Sequence, residues 1–357
     1  MRTRKVRDRM PREFFRACKR HFGDQVTNEL LQSQIEVATR PCRTMEEARE
    51  ELRQFRSALA EQAARHGLGI VAAATHPLAM WREQKPTSKN RYRDVIEDMQ
   101  MVAFRNMLCG MHVHVEVPDP SRRIEIMYRT LPYLHLFLAL STSSPFWQGH
   151  PTGLSGYRLA ANEEMPRSGL PELFKTTSDY EAYVETLTKA AIIKDASFIW
   201  WAIRPSLRNP TLELRIADVC TRIEDALCLA ALYRCLVRHL TGDPSLNADI
   251  SVIDRAIAEE NKWRAQRYGT AASFVVRGKS AAQPIKAAVE ELIALLREDG
   301  EALGCVNDVL RAPAILARGS SADAQLEVYR AARNAGRSRA QALTEVIDWI
   351  RRTTAEP

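Results

Sequence analysis

The sequence has no apolar segment long enough to cross a bilayer. Its longest apolar stretch, residues 131–140, is interrupted by Pro132 and His135, whereas a membrane-spanning helix needs about 20 apolar residues. The N-terminus is basic and continues into Glu13 and Arg16, where a secretory leader would have its apolar region. We therefore expect a cytoplasmic protein that spans no membrane.

Cysteine is sparse and follows no regular spacing. The 357 residues contain 7 Cys. The number is odd, and no two cysteines form a C-x-x-C pair. The sequence therefore indicates neither a disulfide framework nor a zinc ribbon. We expect all of these thiols to be reduced.

Two common nucleotide-binding motifs are missing. No G-x-x-x-x-G-K-[ST] segment is present. The spacing of residues 67–72 resembles G-x-G-x-x-A, but a helix is predicted before it, capped by Thr44 and Glu47 and ended by Gly67, and a short strand is predicted over residues 70–74. A dinucleotide fingerprint needs the reverse order, strand then glycines then helix. We therefore reject a Rossmann site.

Positive charge is concentrated at the N-terminus. The net charge is +7, and the first 20 residues hold nine Arg or Lys against Asp8 and Glu13. Aromatic residues do not alternate with these cations in a regular pattern, and no reader motif follows them. We expect a solvated N-terminal segment, and a basic arm that contacts the phosphates of a nucleic acid is the less favoured alternative.

Hydrophobic periodicity predicts a mixed α+β chain. Helices are predicted over residues 44–66, 91–106, 124–141, 178–189, 322–334 and 339–352, and strands over residues 110–117, 198–204 and 211–219. Almost everything after Arg222 is predicted to be helical.

Three segments alternate polar and apolar residues with the period of a strand. These are residues 32–38, 111–117 and 211–216. Because successive side chains of a strand point to opposite faces, each segment has one polar face. The polar faces carry Gln32, Gln34 and Glu36, then His112, His114 and Glu116, then Glu213 and Arg215.

If these strands share one antiparallel sheet, their polar faces form a floor of carboxylate, imidazole and guanidinium groups. Carboxylates with a histidine suit Mg²⁺ and phosphate oxygens, and arginine suits phosphate or a substrate carboxylate. The pattern indicates phosphoryl transfer, although a sheet with one solvated face explains the alternation equally well. A weaker alternative is a metal bound by His112, His114 and Glu116, as in small β-barrel metalloproteins, but such barrels are nearly all strand.

Several short motifs together resemble the carboxylate–amine ligase family. They are Glu29-Leu-Leu-Gln-Ser-Gln-Ile-Glu-Val-Ala-Thr39, Thr75-His-Pro-Leu78, Cys109-Gly-Met-His-Val-His114, Ser144-Pro-Phe-Trp-Gln-Gly149, Arg204-Pro-Ser206, Pro210-Thr-Leu-Glu-Leu-Arg-Ile216 and Asn261-Lys-Trp-Arg-Ala265. In this order and spacing they resemble the type 2 glutamate–cysteine ligases, which are related in fold to glutamine synthetase and the guanidino kinases.

The resemblance implies an activity that depends on ATP and Mg²⁺. L-Glutamate would be activated at its γ-carboxyl as an acyl phosphate, which the amine of L-cysteine attacks, as in glutathione biosynthesis. It also implies that Glu36 and Glu213 are metal-binding carboxylates and that His112 is a metal-contacting imidazole. Glu29, seven residues before Glu36, lies off the polar face by strand parity and is therefore only a minor candidate for a further ligand.

The same resemblance assigns arginines to the anionic groups. It implies that Arg215 neutralises the transferring phosphate and that Arg204 contacts this phosphate or the substrate carboxylate. Arg264 is a candidate nucleotide contact, although a solvated helical face explains that position at least as well.

The family's first strand is not found at the start of the sequence. The resemblance predicts one catalytic domain over residues 1–357, with a helical portion from about residue 243 to 357, but a Gly-x-Glu-x-Glu strand is expected before Met1. Without that strand we expect an unpaired sheet edge, compatible with a homo-oligomer, and impaired catalysis. The alternatives are a non-catalytic nucleotide- or amino-acid-binding homologue and a ligase that uses another amine.

Overall fold

The computed structural model describes residues 4–174 and 176–356. The α-helices are α1 (Arg12–Phe22), α2 (Met45–Arg65), α3 (Asn90–Met99), α4 (Met101–Arg105), α5 (Pro120–Thr130), α6 (Leu134–Ser141), α7 (Tyr157–Asn162), α8 (Thr177–Lys189), α9 (Ile223–Gly242), α10 (Val252–Tyr268), α11 (Ile285–Ala302), α12 (Val306–Val309), α13 (Ala312–Arg318), α14 (Ser321–Asn334) and α15 (Arg339–Ala355). None of the helices in these ranges combines the length and apolar character that crossing a membrane requires.

The strands are short and antiparallel. They are β1 (Val26–Asn28), β2 (Ile35–Val37), β3 (Val113–Glu116), β4 (Phe146–Trp147), β5 (His150–Pro151), β6 (Ile203–Pro205), β7 (Thr211–Leu214), β8 (Ser273–Phe274) and β9 (Gln283–Pro284). The order β3-β7-β6 forms a three-stranded sheet, and β1-β2, β4-β5 and β8-β9 form separate pairs. The α+β class and the helical C-terminal region are therefore confirmed.

Strand β7 is the centre of the three-stranded sheet. Val113 of β3 is opposite Leu214, and His114 is opposite Glu213. On the other side of β7, Arg204 of β6 is opposite the same Glu213. The register thus places an imidazole and a guanidinium on either side of one carboxylate.

Helix α9 is the centre of the hydrophobic core. Leu229, Leu232 and Leu236 are fully buried along it, and α9 contacts α2, α5, α6, α11, α12, α13 and β3. Leu212 and Leu214 face the same core from β7, where Tyr233 Oη donates to the Leu212 carbonyl at 3.2 Å. Helices therefore cover the apolar face of the sheet, as the alternation predicts.

Four expectations about local structure are wrong. Residues 70–74 form no strand, because side chains take the place of a neighbouring strand: Ala72 N donates to Thr354 Oγ1 at 2.9 Å, and Ala74 N donates to Ser143 Oγ at 2.9 Å. The helix predicted over residues 91–106 is divided at Gln100, whose φ is +49°.

The third error concerns residues 124–141, where the chain forms α5, a 3₁₀ turn and α6 instead of one helix. Pro132 lies in that turn and has no N–H to continue an α-helical ladder. The fourth concerns β2, which pairs with β1 and does not join the three-stranded sheet.

The basic N-terminal segment is folded against the rest of the chain. Phe14 is buried between α1 and α2. Arg4 forms an ion pair with Asp348 at 2.6 Å, and Asp8 forms one with Lys85 at 2.6 Å. The expected solvated segment is thus partly packed, and residues 1–3 lie outside the described ranges.

Helix ends follow the sequence signals closely. Thr44 Oγ1 accepts from Glu47 N and caps α2, although the Glu47 carboxylate accepts from Arg43 N and leaves the capping box incomplete. Full capping boxes begin α8, α10, α14 and α15.

Candidate active site

The polar face of the three-stranded sheet is organised around Glu213. Glu213 as a whole residue is 4% exposed. Arg204 Nε donates to Glu213 Oε2 at 2.7 Å, and Arg215 Nη1 donates to Oε1. One buried carboxylate is thus held between two guanidinium groups, which leaves one positive charge in excess at this centre.

Two imidazoles border the same carboxylate. His112 Nδ1 lies 3.4 Å from Glu213 Oε1 and 3.4 Å from Arg215 Nη1. His114 Nε2 lies 3.8 Å from Glu213 Oε1, while its Nδ1 lies 2.9 Å from Thr211 Oγ1. Leu212 and Leu214 place Glu213 and Arg215 on this face because alternate β7 side chains point into the core.

The charged groups in this cluster shift one another's pKa values. Burial alone would raise the pKa of Glu213, but Arg215 and Arg204 more than offset it and hold the pKa well below its usual range. Burial and the nearby Arg204 lower the pKa of Arg215 to about 10. Partial burial and Arg215 lower the pKa of His112, and burial lowers that of His114. Both imidazoles are therefore neutral at pH 7.

Two carboxylates, Glu29 and Glu36, lie at the β1-β2 pair, and Glu29 is near enough to Arg215 to be affected by its charge. Burial and the charge of Glu36 raise the pKa of Glu29, and Arg215 acts in the opposite direction. Glu36 is exposed and its Oε2 accepts from Thr27 Oγ1 at 3.0 Å. Gln34 Nε2 anchors β2 near the start of β3 by donating to the Leu108 carbonyl at 3.0 Å.

A third arginine lies behind the cluster and was not predicted. Arg158 is 4% exposed, and its Nε donates to Asp218 Oδ1 at 2.8 Å. Asp218 is fully buried, and its Oδ2 accepts from Ser143 N at 2.9 Å and from Ser144 Oγ at 2.7 Å. The signal in the sequence was an aspartate soon after the buried residues of β7, since a buried carboxylate needs a partner.

The structure brings together four of the six predicted site residues. Arg204, Glu213, Arg215 and His112 form one cluster, and Glu36 lies in the neighbouring β1-β2 pair. Glu116, from the alternative metal set, ends β3 and is exposed.

Arg264 lies outside the cluster. Its Nε donates to the Ser273 carbonyl, and its guanidinium lies 5.6 Å from the Tyr268 ring centroid. These contacts belong to α10 and to β8, so none of them joins Arg264 to Glu213.

The donor set is compatible with a hydrated cation. Within residues 4–174 and 176–356, no three His, Cys, Asp or Glu side chains form a ready metal cluster. However, burial first and the charge of Glu36 second raise the pKa of Glu29, and a cation would relieve the repulsion between the two carboxylates. Mg²⁺ usually takes one or two carboxylates, keeps its water ligands and arrives with substrate phosphates. The residues present fit that mode of binding.

Comparison with known proteins gives the family. The profile described as glutamate-cysteine ligase family 2 matches residues 4–350. A protein of Bradyrhizobium diazoefficiens named "Putative glutamate--cysteine ligase 2" is 50% identical over 320 residues, which cover 90% of this chain and 75% of that protein.

Two further relatives carry the same name. One from Bradyrhizobium sp. (strain ORS 278) is 49% identical over 359 residues, covering 99% of this chain and 86% of the relative. One from Rhodospirillum rubrum is 46% identical over 340 residues, covering 94% and 87%. The chain belongs to glutamate–cysteine ligase family 2 and is an enzyme of the carbon–nitrogen ligase class.

Proposed function

We propose that this enzyme uses ATP to join the γ-carboxyl of L-glutamate to the amine of L-cysteine. The observation that carries the proposal is Glu213 held between Arg204 and Arg215, which leaves excess positive charge on an accessible sheet face. The names of the relatives supply the substrates.

The chemistry needs charge neutralisation and alignment more than a protein nucleophile. A γ-carboxylate oxygen of glutamate attacks the terminal phosphorus of ATP, and ADP leaves. The amine nitrogen of cysteine then attacks the acyl carbon, phosphate leaves with the bonding electrons, and the nitrogen loses a proton. In both steps catalysis consists of positioning and electrostatic stabilisation.

The arginines suit these anionic groups. Arg215 would bind the transferring phosphoryl group, because the pKa of about 10 keeps its guanidinium charged at pH 7. Arg204 would contact the phosphate or the substrate carboxylate. Glu213 positions both guanidiniums and limits their mutual repulsion.

Glu36, His112 and Glu213 are the proposed magnesium-binding residues. Mg²⁺ would supply further neutralisation of the phosphate charge. Both oxygens of Glu213 accept from arginine, yet each retains a second lone pair. The neutral His112 also has a nitrogen lone pair to offer. Arg264 remains a predicted nucleotide contact that would have to leave Ser273.

We place this reaction in the cytoplasm. All seven cysteines are free, which suits a reducing compartment.

Phosphate release tests this function. Purified protein is supplied with ATP and MgCl₂, and with L-glutamate and L-cysteine separately and together. We expect release only with both amino acids and formation of γ-glutamylcysteine. Arg215→Gln should lower turnover at least about 100-fold because it removes charge from the transition state. Glu116→Gln, on the exposed end of β3, should retain it.

Two other outcomes would replace the proposal. Faster product formation with another amine would change the acceptor. Calorimetric binding of Mg·ATP without turnover under any combination of amino acids and amines would indicate a binding homologue.

A further inference from the structure

The space above Gly110 is open at the point where Arg158 approaches the active-site cluster. Gly110 is exposed, and its backbone forms an isolated antiparallel bridge with Asp218 that extends the β3-β7 ladder. A Cβ atom at this position would lie 3.0 Å from Arg158 Nη1 and 3.5 Å from His112 Nε2. Only a glycine leaves Nη1 uncovered here.

The guanidinium of Arg158 is held by hydrogen bonds from two of its three nitrogens. Its Nε is bound to Asp218, and its Nη2 donates to the carbonyls of Ile216 at 2.7 Å and Ala217 at 3.0 Å. No hydrogen bond to a described residue uses Nη1. A guanidinium fixed through two of its nitrogens presents the third as a preorganised donor.

We infer that the space above Gly110 is an oxyanion subsite, with Arg158 Nη1 as its donor. The inference rests on the proposed function and deepens it, because this subsite adjoins His112 and Arg215. The ligand is an oxyanion carried by a substrate, either a carboxylate of the amino acid or a phosphate of the nucleotide. Arg–oxyanion hydrogen bonds are short, directional and stronger than neutral ones.

The local charges favour an anion over a cation in this space. Asp218 balances Arg158, while Glu213 balances only one of Arg204 and Arg215. Arg158 also contributes to the lowered pKa of Arg215, together with burial, the first cause, and Arg204. A bound oxyanion would reduce this crowding of positive charge.

Gly110→Ala tests the inference without removing a contact. The φ of Gly110 is outside the positive region, so alanine fits the backbone, but its methyl group would cover Nη1. Gly110→Val blocks the space more fully if the guanidinium moves slightly, because the valine side chain is larger. An extended backbone accepts valine. The matched control is Gly242→Ala, where a Cβ meets no atom within 4 Å.

Calorimetry with separate probes identifies the source of the oxyanion. L-Glutamate alone, ATP alone and inorganic phosphate alone are titrated into the wild type and each variant. We expect affinity for either glutamate or ATP to fall about 10-fold or more in Gly110→Ala and further in Gly110→Val, as loss of one charged hydrogen bond implies. Gly242→Ala should bind as the wild type does.

The outcomes separate the subsite from the reaction. A selective loss for glutamate identifies a carboxylate subsite, and a loss for ATP and phosphate identifies a phosphate subsite. Unchanged affinities in both Gly110 variants, with an unchanged melting temperature, overturn the inference even if ligase activity is present. If the Gly110 variants bind these probes less tightly but the wild type makes no product, the subsite is supported and the proposed reaction is rejected.

Discussion

Replacing Glu213 with glutamine removes the charge that separates two buried guanidiniums. The side chains of Arg204 and Arg215 are 14% and 16% exposed, and that of Glu213 is 5% exposed. Glutamine can still accept from one arginine, but its amide group would face the other one as a second donor. The variant therefore loses one charged hydrogen bond and leaves two positive charges without their partner.

The expected cost is about 3–5 kcal/mol of unfolding free energy, the range for breaking a buried ion pair on one side. Urea unfolding followed by circular dichroism measures it from the shift of the midpoint. Glu213→Gln combined with Arg204→Met should recover part of the loss, because the double variant leaves a single guanidinium. Glu116→Gln, at the exposed end of β3, should change stability by less than about 0.5 kcal/mol.

The difference between wild type and Glu213→Gln should also depend on pH. The pKa of Glu213 is lower in the folded state than the ordinary value of 4.5. Its contribution is therefore complete above that value and is lost as pH falls through the folded-state pKa. A cost below about 1 kcal/mol at pH 7, or a gap that grows as pH falls below 4.5, would refute this account of the cluster.

Three further changes test the core, a helix cap and the carboxylate pair of Glu29 and Glu36. Leu236→Ala, fully buried in α9, should cost about 2–5 kcal/mol in urea unfolding, and an unchanged midpoint would contradict the central place of α9. Ser251→Ala, which removes the cap of α10, should cost about 1 kcal/mol, and Ser251→Asp should restore most of it. Glu29→Gln should raise the melting temperature at pH 7, since the folded state raises the pKa of Glu29 and so penalises its charge. That gain should disappear as pH falls below 4.5, the ordinary value for the group; a loss of stability at pH 7 would show that the charge is stabilising.

The sequence predicts the polar centre well where one face of a strand is buried. Leu212 and Leu214 must enter the core, so strand parity alone places Glu213 and Arg215 together on the other face. His112, directly before β3, and His114, within it, follow the same rule. Neighbouring strands then bring these groups into contact without any further information.

The sequence could not give what depends on distant partners. The pair Arg158 and Asp218 joins positions that no periodicity relates. Residues 70–74 have the apolar composition of a strand, but the side chains that bond their backbone, Thr354 and Ser143, lie far away in the sequence. Strand β2 has a polar face like those of β3 and β7, but alternation does not state which strand is its neighbour.

The β3-β7 pairing also determines when the active site can form during folding. Val113 meets Leu214 roughly 100 residues later along the chain, and pairings of such high sequence separation form slowly because the intervening loop must close first. Helices α5 to α8 lie within that loop and can form from local contacts. Helical structure should therefore return early in refolding, and the carboxylate held between two arginines should be among the last features to appear.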